Sequence, residues 1–340
     1  MTEVALRQIL AGFAEIGRIK ADSIEIGEPM RGYRNLSYKV GDDMNLIIAK
    51  REEWVIRRLD LADWYGDYAA KKGLATRKRV GRGTAILKSP KTGREAGYAR
   101  LYNYLPGETI PWEAWSMKHV KLLGWAMGDL HRVWRTSPEN MYTLPDAIDG
   151  LVELMGQIQK YLTQEEVVRA LEVKLGVKMF GRAPDFFVKT GMGLDNLREL
   201  PKQPLHLDLV RGNVLFREAK KSVDAKWVMD GVELSGIIDF EKVAKGPVVL
   251  DLARTYAFLM ADCNKPPVKI AKYLCYDGYY KRSVSKRIVI PSWLTNLYLL
   301  HDFYKFLRHN PYESLEENYH YKRTRDILKE RGVLEVKRRK

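Results

Sequence analysis

The chain has 340 residues, with 58 Lys and Arg against 43 Asp and Glu and a formal net charge of +15. Apolar residues make up 46% of it and aromatic residues 11%, too much for a disordered chain, and the length allows two domains or two lobes that each bury a core. The two cysteines, Cys263 and Cys275, are too few for a disulfide framework and lack metal-ligand spacing, so they read as small buried hydrophobes in a reducing cytoplasm. No run approaches the roughly 18 apolar residues of a membrane span. The basic balance fits attraction to nucleic acid, an anionic surface or an anionic ligand such as a nucleotide, and equally plain solubility. No nucleic-acid reader motif accompanies it, so specific nucleic-acid binding is not expected.

Taken in chain order, residues 1–22 carry Glu3, Arg7, Glu15 and Arg18 through their apolar positions, the pattern of an amphipathic helix rather than a signal peptide. Short strands follow at 36–40, 45–50, 84–88 and 97–102, rich in Ile, Tyr and Val and separated by Gly, Asp and Pro. Between the second and third, residues 53–72 place Val55, Leu59, Ala62 and Tyr65 at helical spacing. Asn103-Tyr104-Leu105-Pro106-Gly107 then breaks the chain, since a Pro-Gly pair ends regular structure. Beyond it the character is helical: 116–134 with Ser116 as N-cap, 150–175, and everything from about 250, punctuated by Pro266-Pro267 and Pro291. Residues 204–239 return to strand character. The fold expected is α+β and bilobal, a strand-rich lobe over 1–105 and a larger helical lobe over 106–340 that contains one hairpin.

Two segments carry chemistry. The first is Leu205-His206-Leu207-Asp208-Leu209-Val210-Arg211-Gly212-Asn213-Val214-Leu215-Phe216, and the second is Gly236-Ile237-Ile238-Asp239-Phe240-Glu241. Phosphoryl transfer asks a protein to orient a hydroxyl, hold Mg²⁺ against the phosphates and neutralise developing charge. Asp208 and Asn213 have the D-x4-N separation of a kinase catalytic loop, and Asp239-Phe240-Glu241 stands where a metal-binding D-F-G would be.

The pair resembles the aminoglycoside phosphotransferase and choline-kinase-like family, whose usual forms are H-G-D-x-x-x-x-N and I-D-[FW]-[ED]. The likeness spans most of 25–260. It implies a protein-kinase-like fold and ATP- and Mg²⁺-dependent phosphorylation of a small-molecule hydroxyl. It implies Asp208 as catalytic base, Asn213 and Asp239 as metal ligands, and Asp251 as a brace for the catalytic loop. Upstream, Asn35 and Ser37 lie in the phosphate-covering strand–turn–strand 32–40, and Lys50 matches the lysine that pairs with the α/β-phosphates. Asp63 is the favoured acid to orient Lys50, with Asp60 as the alternative, and Asn103 and Leu105 sit where a hinge offers backbone groups to adenine.

Two residues depart from the family pattern. Val210 stands where a polar residue approaches the transferred phosphate, with Arg211 next to it as a candidate for the missing charge, and Leu207 replaces the usual Gly. His131, Trp112, Trp115, Trp134, Tyr276, Tyr279 and Tyr280 read as core or helix-contact residues, though the tryptophans could line an acceptor pocket. The absence of an acidic cluster over 250–340 lowers the expectation of a polycationic aminoglycoside as acceptor. A neutral sugar, an amino alcohol, a macrolide or an anionic acceptor fits the charge better, as does a glycolipid sugar at an anionic membrane surface. A non-catalytic kinase-like module is the other class, and such a module has no need of Lys50, Asp208, Asn213 and Asp239 together.

Overall fold

The computed structural model describes residues 2–13, 23–31, 35–50, 53–81, 83–88, 92–93, 95–138, 143–179, 183–219, 226–284 and 288–336. Five antiparallel strands form the first sheet in the order β1-β2-β3-β5-β4: β1 (Met30–Arg31), β2 (Asn35–Val40), β3 (Met44–Lys50), β4 (Ala85–Lys88) and β5 (Glu95–Asn103). The alternation read in the sequence sorts the two faces. Met44, Leu46 and Ile48 of β3 join Ala99 and Leu101 of β5 in a core covered by Leu6 and Leu10 of α1 (Glu3–Ala11). The opposite face carries Tyr98, Arg100 and Tyr102 and looks toward α2 (Glu53–Lys71).

Two glycines allow the close approaches that join this sheet to the rest. At Gly66 of α2 a Cβ would lie 2.5 Å from the Arg77 carbonyl and 3.4 Å from Phe240, so only hydrogen lets the helix rest there. Gly107 has φ +122°, and a Cβ would come within 2.8 Å of the Phe216 carbonyl, so both conformation and space require glycine. Residues 75–80 are stitched on both sides. Arg77 N–H donates to Ile237 O and Ile237 N–H to Ala75 O, while Val80 N–H donates to Leu101 O.

The larger part is helical. In α3 (Met117–Arg135) the Ser116 amide donates to His119 Nδ1 at 3.0 Å, a cap closed from the third residue of the helix. Asp146 caps α4 (Ala147–Leu162), accepting from the amides of Ile148 and Asp149. The single helix expected over 150–175 ends at Leu162 and restarts as α5 (Glu165–Ala170). The backbone turns extended at Gln164 (φ −65°, ψ 129°), and the Thr163 hydroxyl caps the end of α4 by donating to the carbonyls of Gln159 and Lys160.

Strand β6 (Val177–Met179), α6 (Ala183–Leu197) and β7 (Gln203–Leu205) lead to the hairpin region. There β8 (Val214–Glu218), β9 (Val228–Met229) and β10 (Val232–Ile237) form a sheet in the order β8-β10-β9. After β11 (Ala244–Gly246), which pairs with β7, come α7 (Val249–Asp262), α8 (Ser292–His309), α9 (Tyr319–Glu330) and β12 (Leu334–Val336), which pairs with β6. Helices α4, α6, α7, α8 and α9 share one core, and a second core runs from α2 through α3 to the β8–β10 hairpin. Among the described residues no helix is long and apolar enough to cross a membrane.

Candidate active site

The catalytic-loop motif folds onto a buried brace. Asp251, at the start of α7, accepts from the His206 amide and the Leu207 amide, each at 2.8 Å, and from His131 Nε2 at 2.9 Å. Burial pushes its carboxyl pKa up, but the bonds from His131 and the loop amide outweigh that and hold it below the usual carboxylate range. His131 is therefore a core histidine, held on its other side by Tyr279 at 3.0 Å. Leu207 takes φ 59°, the conformation for which the family uses glycine, and its amide is tied to Asp251 in that strained geometry.

Asp208 follows at the tip. The Asn213 Nδ2 donates to Asp208 O at 2.8 Å and to its Oδ2 at 3.1 Å. Asn213 also opens β8, whose partner is β10: Val214 lies opposite Ile237, and the Ile238 amide donates to Asn213 O at 3.0 Å. Asp239 emerges one residue later with φ 62°. The loop and the hairpin thus bring Asp208, Asn213 and Asp239 to one end of the β8–β10 pair. Phe240 packs inward against Trp134, His206 and Gly66. Burial lowers the pKa of His206 against the pull of Asp251 and Asp208, so the ring is neutral, and its Nδ1 accepts from the Asp208 amide.

A cation missed in the sequence completes the tip. Lys242 Nζ lies 2.8 Å from Asp208 Oδ1. Burial raises the Asp208 pKa, but Lys242 and Arg254 more than reverse this, and the carboxyl sits below its usual value. The only signal in the sequence is position, three residues past Asp239. Val210 supplies no charge, and Arg211 turns to Asp262 at 3.7 Å.

On the sheet side the residues divide. The side chains of Asn35 and Lys50 lie outside the described residues. Ser37 Oγ donates to Asn45 Oδ1 at 2.6 Å, across the β2–β3 pair. Asp63, read as the partner of Lys50, is engaged by Arg100 at 2.7 Å and by the Tyr102 hydroxyl at 2.9 Å, with Arg79 at 3.6 Å and Asp60 also holding Arg100. Arg100 points from the sheet toward α2 and is 3% exposed, and a buried guanidinium needs a carboxylate, so Asp63 serves Arg100, while the side chain of Lys50 lies outside the described residues. An arginine inside the strand GYARLYN was the available signal.

At the hinge, the Asn103 side chain accepts from the Lys78 amide, its own amide donates to Lys78 O, and the Tyr104 amide donates to Asp43 O. The Leu105 amide makes no hydrogen bond among the described residues. Trp115 and Trp134 are core residues at 2% and 0% exposure, while the Trp112 side chain lies outside the described residues.

Beside Asp208, away from the hinge, lies a cavity of about 680 Å³ walled by Leu207, Lys242, Arg254, the start of α4, and Tyr298 and His301 of α8. None of its walls belongs to the five-stranded sheet or to 103–107.

Residues 28–279 match the model of the phosphotransferase enzyme family (APH). The chain belongs to that family. Solved structures agree at the level of fold. An amicoumacin kinase in complex with AMP-PNP and Ca²⁺ is 15% identical with a TM-score of 0.61, covering 97% of this chain and 96% of that one. The GDP complex of an aminoglycoside 2'-phosphotransferase gives 12% and 0.58, covering 96% of this chain and 100% of that one. The ethanolamine kinase of Plasmodium vivax gives 14% and 0.58, covering 95% and 86%. No curated protein matches the chain at the sequence level. The fold is the bilobal kinase-like one, and membership of that family makes the chain a phosphotransferase.

Proposed function

We propose that this phosphotransferase uses ATP with Mg²⁺, that Asp208 is its base and that Asn213 and Asp239 are its metal ligands, with the boundary between lobes at 103–107. The observation that carries the reading is the bond from Asn213 Nδ2 to Asp208. It turns the amide oxygen away from the base, at the end of the β8–β10 pair where Asp239 also leaves the sheet. An amide and a carboxylate oxygen suit Mg²⁺, which takes few protein ligands and completes its shell with phosphates and water. Bound there, the metal would neutralise charge on the phosphates.

The chain's own residues do the rest. Asp208, ionised under the pull of Lys242 and Arg254, accepts the hydroxyl proton of the acceptor. Asp251 fixes the loop that carries it. The ammonium of Lys242, within 2.8 Å of the base, is placed to meet charge on the transferring group, the task that Val210 leaves undone. The Leu105 amide offers a donor to adenine, and Ser37, Asn35 and Lys50 remain our candidates for the phosphates.

Asp208→Asn tests the assignment. Loss of a positioned base costs roughly 10²–10⁴-fold in turnover, while affinity for Mg²⁺-AMP-PNP measured by calorimetry stays within about twofold of wild type. Full turnover in Asp208→Asn with a genuine acceptor would overturn it.

A further inference from the structure

The cavity beside Asp208 has a charge that bears on its occupant. The charged residues of the cavity wall are three cations, Arg58, Lys242 and Arg254, and two carboxylates, Asp146 and Glu241, and the carboxylates at and near it are already engaged. Asp302 holds Arg254 at 2.7 Å, Asp208 holds Lys242, and Asp146 at the mouth holds Lys202 at 2.8 Å while capping α4. One turn along α8 from His301 stands Lys305, half-buried, whose ammonium makes no ion pair or hydrogen bond among the described residues. The wall-lining His301 has a buried Nδ1 that also lacks a partner.

The field can be read from the titrating groups. Burial first, then Lys242 and Arg254, push the Lys305 ammonium down to about 8, against the weaker pull of Asp302 and Asp208. Burial and then Lys305 bring His301 down to about 3, so the ring is neutral. An amine brought here would meet the cations of the wall, and carboxylates that are each already engaged. An anion would relieve a cation that is costly to bury alone.

Building on the phosphotransferase reading above, we propose that the acceptor is an anionic alcohol whose carboxylate or phosphate group docks between Lys305 and Arg254 while its hydroxyl meets Asp208. In the step itself the acceptor oxygen bonds to the γ-phosphorus and the bond from that phosphorus to the β–γ bridging oxygen breaks. The bridging oxygen leaves with the electron pair on ADP, and the hydroxyl proton passes to Asp208 and then to solvent.

The experiment splits a small-molecule cell extract by ion exchange into anionic, neutral and cationic fractions. Each is incubated with the full-length enzyme, Mg²⁺ and ATP labelled at the γ-phosphoryl group. Label transferred in the anionic fraction is the expected result. Transfer confined to the neutral or cationic fraction overturns the anionic acceptor and leaves the phosphotransferase reading standing, whereas transfer in no fraction overturns that reading and this inference with it. For the labelled acceptor, Lys305→Gln should raise KM about tenfold with kcat within about twofold, and Lys305→Arg should restore it. An unchanged KM in Lys305→Gln overturns the docking site. Gluconate and glycerol 3-phosphate, added separately as competitors, tell a carboxylate from a phosphate by which one raises the acceptor KM in wild type but not in Lys305→Gln, and competition by neither overturns the site.

Discussion

Single residues set the character of this site more than the motif does. The D-x4-N spacing places a base and an amide, but Lys242 decides how the base is charged, since it is the first opposing influence on a carboxyl that burial would otherwise raise. Lys305 is the counterpart on the acceptor side. Facing it are Lys242 from the loop after β10, Arg254 from α7, His301 and Asp302 from α8, and Asp208 from the catalytic loop. Its ammonium titrates near 8 instead of 10.5, so the free enzyme loses this charge as pH rises through about 8. Acceptor kcat/KM should therefore decline above pH 8 in wild type while kcat at saturation stays level, because a bound anion raises the Lys305 pKa. A profile of the same shape in Lys305→Gln would refute that assignment. For stability the sign is opposite: between 8 and 10.5 the unfolded chain binds the extra proton, so this residue's burial cost fades and stability rises with pH.

At the scale of elements, the question is what holds α2 against the sheet. Arg100 of β5 reaches Asp63 and Asp60 of α2, and Tyr102 adds a second bond to Asp63. Arg100 and Asp63 are 3% and 8% exposed, and removing one partner of such a pair costs about 3–5 kcal/mol because the other is left buried and unpaired. Arg100→Ala should lower stability by about that amount in urea unfolding. Lys174→Gln, which breaks an ion pair with Glu313 whose side chains are 50% and 69% exposed, should move the midpoint little. Equal effects from both would mean that Arg100 is not the anchor.

The contrast explains what the sequence disclosed. Strand and helix positions were legible because alternation and the 3.6-residue period are local, and the two motifs were legible because chemistry fixes their internal spacing. Arg100, Arg254 and Lys305 were not. Arg100 and Arg254 find their carboxylates on other elements that only packing brings near, and Lys305 is set apart only by the charges that packing gathers around it. The break after Thr163 was missed for a smaller reason, since a hydroxyl that caps a helix end leaves no mark like that of Gly or Pro.

For the molecule as a whole, the proposed metal ligands and the segment 103–107 are mechanically continuous. Residues 75–80 bond to Ile237 on one side and to Leu101 and Asn103 on the other, and Gly66 rests on Phe240, the neighbour of Asp239. A nucleotide that touches the Leu105 amide, the sheet and Asp239 at once would tie both halves through this one segment. Such a ligand stabilises by mass action, about 2.7 kcal/mol at a hundredfold excess over Kd, which corresponds to a rise in Tm of roughly 4 °C for a chain of this size. Mg²⁺-AMP-PNP should produce that rise in wild type and in Asp208→Asn, which keeps both metal ligands. Asp239→Asn, or AMP-PNP with EDTA in place of Mg²⁺, should lose most of it. The same shift in all four conditions would mean that the nucleotide is held without the pair at 213 and 239, and the roles given to those two residues would have to be abandoned.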